Sequence, residues 1–405
     1  MKKTNYFLRL FLTFSFSSLL LLTSCQEEET ILSVQEMETL ANFDIAPIEG
    51  QYIVILKESS TGKYTDQKYD QRIASLKNEY LNRFSALNLA SDQLKQTYGY
   101  SISGFAAKLS EEQLQSLRKD NRIKYIEQDY QITLSPDLSI LRGKPGSGGG
   151  TTESQTTPWG ISRVGGGESG TGKVAWIIDS GIDLTHPDLN VDVAQSRSFL
   201  SGRDADDPND ANGHGTHVAG TVAAIDNTIG VIGVAAGATV VAVRVLDRRG
   251  SGSYSGVIAG VEYVGAQGNT GDAANMSLGG PVSQALDDAV VAASSKVRFA
   301  LAAGNESDDA NNHSPARANG PNIYTISAMD STDKFAYFSN YGADVDYCAP
   351  GVAVESLWKG GGYNTISGTS MASPHVCGLL LLGNISTNGY VFNDPDGNAD
   401  RIAHR

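Results

Sequence analysis

Three glycine-bearing strings constrain what this chain can fold into more than any other feature: WIIDSGID from Trp176, NGHGTHVAG from Asn212 and SGTSMASPH from Ser367. In chain order they offer a carboxylate at Asp179, an imidazole at His214 and a hydroxyl at Ser370, each beside a turn. A serine hydroxyl becomes a nucleophile only when an imidazole takes its proton and a carboxylate orients that imidazole. The set therefore has chemistry only in a fold that gathers three distant turns at one place.

The stretch from Pro158 onward has the pattern of such a fold. Residues 173–179 (KVAWIID), 238–247 (ATVVAVRVLD), 298–305 (RFALAAGN) and 322–330 (NIYTISAMD) are continuous apolar runs, as strands buried on both faces of a sheet require. Between them, residues 216–225, 253–267 and 283–296 read as helices. The alternation predicts an α/β domain, a mainly parallel sheet flanked by helices. Ligands of such sheets collect beyond the carboxyl ends of strands, where Asp179 and Asn305 are expected. Ser370 opens a segment, VCGLLLL included, apolar enough for a buried helix, whose N-terminus offers free N–H groups and a partial positive charge. His217 and Asp183 compete with His214 and Asp179. Two histidines three apart lack a third ligand for a zinc set, and Asp183 reads as a turn residue.

A smaller module precedes this domain. Residues 51–56 (QYIVIL) predict a strand, and Ile73, Leu76, Tyr80 and Phe84 have helical spacing. From Tyr98, YGYSISGFAAKLSEEQLQSL predicts a strand, then Ser110 as N-cap of a helix; residues 123–132 (IKYIEQDYQI) predict another strand. The order β, α, β, α, β gives a small α+β domain over residues 51–133. Residues 134–157 hold GKPGSGGGTTESQTT, a linker composition. At the N-terminus Lys2, Lys3 and Arg9 precede an apolar run from Leu10 to Leu22, too short to span a bilayer, and then Leu22-Thr23-Ser24-Cys25. Residues 1–24 thus read as an export signal, and residues 25–50, with the acidic QEEET, as a spacer.

The chain has 405 residues, enough for these several units. Its 40% hydrophobic and 19% charged residues suit a globular protein. A net charge of −14 argues against nucleic acid as a partner. An exported compartment permits a disulfide between Cys348 and Cys377, and two buried thiols fit the sequence equally well.

DSG followed by HPDL (residues 186–189), HGTH (214–217) and GTSMASPH (368–375) resemble the subtilisin-like serine proteases, and TTPWGI (156–161) is similar to the mature start of their proteinase K-like branch. The resemblance implies a catalytic domain over residues 158–405 with Ser370 as nucleophile, His214 as base and Asp179 as its orienting carboxylate. Asn305, in AAGNES, would join the Ser370 backbone N–H in an oxyanion hole. Ser277, Leu278, Gly279 and Gly280 would pair with substrate backbone, opposite a wall of Ala302, Ala303 and Gly304. Those strings hold no acid, so a roomy, apolar pocket is expected. Catalysis in the family needs no cofactor, while structural calcium is common. Asp204, Asp206, Asp207 and Asp210 of RDADDPNDANG could chelate it or line a solvated loop.

By the same resemblance the small module is a ferredoxin-like propeptide and inhibitor domain. Its last strand would fill the cleft until the 134–157 linker is cut. The N-terminus resembles a lipoprotein signal, making Cys25 a lipidation site and the precursor's only membrane attachment. These features together predict an exported serine endopeptidase that acts on proteins or peptides through an acyl-enzyme and is made as a self-inhibited zymogen. Its mature domain would be released outside the cell. A non-catalytic surface module that binds peptides, or a dedicated processing protease, are the alternatives.

Overall fold

The structure is a computed structural model that describes residues 46–134 and 154–405. The expected signal segment, Cys25 and most of the linker lie outside the described residues.

Residues 46–134 fold as strand β1 (Ala46–Leu56), helix α1 (Tyr69–Arg83), strands β2 (Leu94–Tyr98) and β3 (Gly104–Lys108), helix α2 (Glu111–Arg118) and strand β4 (Ile123–Thr133). They make an antiparallel sheet of order β4-β1-β3-β2. Alternation in β1 sends Val54 and Leu56 under the helices, against Leu76, Tyr80, Leu114 and Leu117, and Ile53 and Ile55 to the opposite face. Helix α2 starts at a capping box in which Ser110 Oγ accepts from Gln113 N and the Gln113 side chain accepts from Ser110 N. Two expectations need correction. The single strand expected from Tyr98 is two strands joined by a turn at residues 99–103. The spacer expected to reach residue 50 ends earlier, because the β1–β4 ladder starts at Ala46↔Gln131 and the Gln128 side chain donates to the Ile48 and Gln51 carbonyls.

The larger body is built on β5 (Val174–Asp179), α3 (His214–Ala223), β6 (Thr239–Arg244), β7 (Ser251–Ser253), α4 (Tyr254–Gln267), β8 (Ala273–Met276), α5 (Gln284–Ala293), β9 (Arg298–Ala302), β10 (Ile323–Met329), β11 (Tyr347–Pro350) and α6 (Thr369–Leu382). Its sheet runs β11-β10-β9-β8-β5-β6, all parallel. A C-terminal hairpin, β12 (Ser386–Tyr390) and β13 (Arg401–His404), extends the β11 edge. Both faces are buried, as the apolar runs require. Ala175 and Ile177 of β5 face α3 and α6, while Trp176 and Ile178 face α4 and α5. Chain order switches direction between β5 and β8, the place where open sheets of this kind leave a crevice at their carboxyl ends. Cys348 on β11 and Cys377 on α6 are buried free thiols, which decides the open alternative against a disulfide.

The two units share a sheet and an interface rich in carboxylates. Strand β7 pairs antiparallel with β4, Ser251↔Thr133 to Ser253↔Gln131, and Leu134 N donates to Gly250 O at 2.9 Å. Leu134, assigned to the linker from sequence, is thus held in register by the body. Glu127 Oε1 accepts from Ala285 N at 3.0 Å, at the N-terminus of α5, and Asp129 Oδ1 from Ser255 N at 3.1 Å, at that of α4. Each puts an anion where a helix presents unpaired N–H groups and the positive end of its dipole. In the reverse direction Glu262 of α4, fully buried, takes the backbone N–H groups of Gly99, Tyr100, Ser101 and Ile102 at 2.6 to 2.8 Å. Burial pushes the Glu262 carboxyl up, and those four donors oppose the push. Glu262→Ala leaves four amide donors buried without an acceptor, so the small domain should leave the body about 100-fold faster. The rate at which activity appears once the linker is cut measures this, and an unchanged rate would remove Glu262 from the interlock.

Candidate active site

Asp179 is the last residue of β5, at the crevice edge, and fully buried. Its Oδ1 accepts from Ser180 N at 2.7 Å and lies 2.8 Å from His214 Nδ1, with Oδ2 at 3.0 Å. A carboxylate only accepts, so Nδ1 carries the ring proton and proton uptake falls to Nε2. This approach depends on Gly215. A Cβ there would stand 2.1 Å from Gly181 O and 3.2 Å from Asp179 Oδ1, so any larger residue forces α3 off the strand end. Gly213, just before α3, has φ +117°, and a Cβ there would stand 2.4 Å from the Trp358 ring.

Ser370 is in the first turn of α6, as the sequence predicts, and its Oγ donates to Ser277 O at 3.2 Å. Pro374, four residues on, has no N–H to give the Ser370 carbonyl. Ser277 Oγ supplies that bond instead, at 2.7 Å, and receives one from Asn275 Nδ2 at 2.8 Å. Ser373 Oγ donates in turn to Asn275 Oδ1. Ser277 therefore holds Ser370 at two points, its carbonyl through the Ser277 hydroxyl and its hydroxyl through the Ser277 carbonyl, a role the sequence did not suggest. Asn305 lies three residues past the end of β9, not at the strand end itself. Its Oδ1 accepts from Thr369 N at 2.8 Å and Thr369 Oγ1 at 3.0 Å. With the amide oxygen tied to the start of α6, the NH₂ end is directed away from Thr369.

Ser370 and Asn305 line one cavity with both expected walls, Ser277–Leu278–Gly279–Gly280 and Ala302–Ala303–Gly304. Thr133 and Leu134 of the small domain line it as well, and a Cβ on Gly280 would come within 3.1 Å of Ile132 Cγ2. Strand β4 therefore enters between β7 and the 277–280 wall. The cavity corrects one expectation: Glu306 and His313 also line it, so the pocket is not purely apolar. Glu306 follows Asn305 directly and was legible; His313 becomes a lining residue only through the fold.

The competing side chains have other work. His217 is fully buried, and its Nε2 lies 3.1 Å from Val354 O and 3.2 Å from Asn364 O. Burial, then the neighbouring His214, push its pKa down to about 3, so it stays neutral and structural. Asp183 accepts from Thr185 N and from Gly360 N and Gly361 N; burial would raise its carboxyl, but these donors outweigh it and hold it low. In the acidic loop Asp210 is enclosed, accepting from Ser180 Oγ, Asn212 N, Gly213 N and both Thr216 donors. Asp204 and Asp207 flank the buried Arg244. These carboxylates do not converge on a cation, and among the described residues no cluster of three metal-ligating side chains occurs.

A model of the subtilase family matches residues 170–383, and one of the peptidase inhibitor I9 family matches residues 51–135. The chain belongs to the subtilase family. It is 42% identical over 357 residues to an alkaline serine exoprotease A of Vibrio alginolyticus, a match that takes in 85% of this chain and 62% of the relative, so it spans less than two thirds of that protein. It is 38% identical over 355 residues to subtilisin-like protease 6 of Trichophyton schoenleinii, covering 82% of this chain and 83% of the relative. The crystal structure of a cold-adapted subtilisin-like serine proteinase superposes with a TM-score of 0.53 at 39% identity, over 61% of this chain and 97% of that one. This subtilase is accordingly a serine-type endopeptidase of subtilisin-like α/β fold, with an I9 inhibitor domain over the small module.

Proposed function

We propose that this subtilase is an exported endopeptidase made as a self-inhibited zymogen, with Ser370 attacking the scissile carbonyl, His214 taking and returning the proton, and Asp179 holding the imidazole. The observation that carries the reading is the buried Asp179 carboxylate 2.8 Å from His214 Nδ1, on a helix packed beside the one that bears Ser370. In the reaction Ser370 Oγ bonds to the carbonyl carbon, His214 Nε2 takes its proton, and the oxyanion meets the Asn305 amide and the Ser370 N–H. Collapse breaks the C–N bond as His214 protonates the leaving amine, and water then hydrolyses the acyl-enzyme by the same steps. Substrate would lie as β4 lies now, an extended strand against β7, a mode that reads backbone and tolerates many sequences. No metal enters a chemical step. A serine-directed fluorophosphonate tests the assignment: wild type should be labelled and Ser370→Ala should not, whereas an unlabelled wild type would leave only a peptide-binding module.

The same reading places the maturation cut between the I9 domain and the body, in the linker. Cys25, on the far side of that cut, would anchor the precursor and leave the mature domain free. A fatty-acid label should enter the full-length precursor and disappear in Cys25→Ala. Label surviving that change, or absent from wild type, would reduce the N-terminus to a plain export signal.

A further inference from the structure

We propose that Asp210 is a positioning residue of the triad: its buried carboxylate ties the helix start that carries His214 to the strand end that carries Asp179, and so sets how the two meet. The proposal rests on the triad reading and adds to it a residue that touches neither the substrate nor the reacting atoms.

Asp210 is 3% exposed, and both of its oxygens are taken up. Oδ1 accepts from Asn212 N and Gly213 N, each at 2.8 Å, and from Ser180 Oγ at 3.0 Å. Oδ2 accepts from Thr216 Oγ1 at 2.7 Å and from Thr216 N at 2.9 Å. Burial pushes the carboxyl up, and these donors oppose the push. All five neighbours donate, which only the ionised form can fully accept.

The donors come from the two sides of the Asp179–His214 contact. Asn212, Gly213 and Thr216 flank His214 in the chain, while Ser180 follows Asp179 directly and donates its backbone N–H to Asp179 Oδ1 at 2.7 Å. Two hydroxyls carry the constraint across. Ser180 Oγ, which donates to Asp210, accepts from Gly215 N at 2.9 Å; Thr216 Oγ1, which also donates to Asp210, accepts from Asp183 N at 2.9 Å. The backbone adds a third tie, from Asp210 N to Ile182 O at 3.0 Å. Helix α3 needs this help, because its N-cap is Gly213 and a glycine has no side chain to accept from the first turn. Asp210 and Ser180 take the Thr216 and Gly215 N–H groups in its place. Removing the carboxylate leaves five buried donors without their acceptor and frees the helix start to shift against the strand end. A misplacement of about 1 Å at a catalytic group costs about 100-fold in rate.

The test compares wild type with Asp210→Ala and Asp210→Asn. Asp210→Ala should lower kcat about 100-fold once the linker is cut, with KM within about twofold, because Asp210 lies outside the substrate walls. Fluorophosphonate labelling should slow to the same degree. The proton that His214 Nδ1 gives to Asp179 is read directly, as a far-downfield proton resonance of the full-length chain, and it should move upfield in the variant or be lost. Asp210→Asn keeps the shape and one acceptor oxygen, so it should lie between, about tenfold down in kcat. An unchanged kcat in folded Asp210→Ala overturns the proposal. So does a loss confined to melting temperature with the downfield resonance unmoved, which would leave Asp210 a purely structural cap. If Asp210→Ala does not accumulate, Asp210→Asn decides by the same kcat and resonance. A wild type that takes no fluorophosphonate label defeats the triad reading and this proposal with it, a failure seen without any variant.

Discussion

Ser370→Ala will lose fluorophosphonate labelling and about six orders of magnitude in turnover while keeping its melting temperature, the loss typical when a triad nucleophile of this kind is deleted. The expectation of an intact fold comes from what Oγ does. Its bond to Ser277 O, at 3.2 Å, is weak, whereas the Ser370 carbonyl bond from Ser277 Oγ belongs to the backbone and survives. Alanine also suits a first helical turn. If the linker is cut by the enzyme itself, the same variant will accumulate as an uncut precursor. Turnover within tenfold of wild type would move the nucleophile elsewhere. A large fall in melting temperature would mean that Ser370 holds the start of α6, and catalysis would then need another probe.

The parts of this molecule legible in its sequence are those set by local pattern. Residues 173–179 announced a strand buried on both faces because every side chain from Val174 to Ile178 is apolar, and the strand ends at Asp179. Ser110 announced a helix because a capping box is a local arrangement, as are the Ser253 and Ser283 caps of α4 and α5. What stayed hidden depends on contacts between distant residues. Strand β2 (LKQTY) is half polar and becomes a strand only by pairing with β3. Glu262, in the middle of an apolar helix, reads as a misplaced charge until four amides from residues 99–102 are brought to it. The acidic loop read from sequence as a calcium site or a solvated loop, and neither reading included the buried guanidinium of Arg244, which lies 3.6 Å from Asp204 and from Asp207.

The interlock explains why the body is held in check before maturation. Glu127 and Asp129 supply anions to the starts of α5 and α4, and Glu262 returns one to the small domain, so separation uncovers charge and unpaired N–H groups on both sides. Those contacts also fix where β4 ends, since the strand bearing Glu127 and Asp129 continues through Ile132 to Leu134 in the cavity. Inhibition and positioning thus come from one element.

Asn305→Ala should lower kcat by about 100- to 1,000-fold and leave KM nearly unchanged, the cost reported for removing an oxyanion donor of this type in subtilisin. The geometry gives the reason for such a split. Thr369 N and Thr369 Oγ1 both donate to Asn305 Oδ1, so the amide is oriented before substrate arrives and its N–H groups cost little reorganisation when charge develops. A ground-state carbonyl is a weaker acceptor than the oxyanion, and the donor is therefore worth most in the transition state, which places its loss in kcat. Asn305→Asp is the sharper companion. It keeps an oxygen for Thr369 and replaces the donor with a negative charge facing a developing negative charge, so it should be at least as slow as the alanine variant. Full activity in Asn305→Asp, or a loss in Asn305→Ala that falls in KM and melting temperature instead of kcat, would return Asn305 to the role of a turn residue that anchors Thr369.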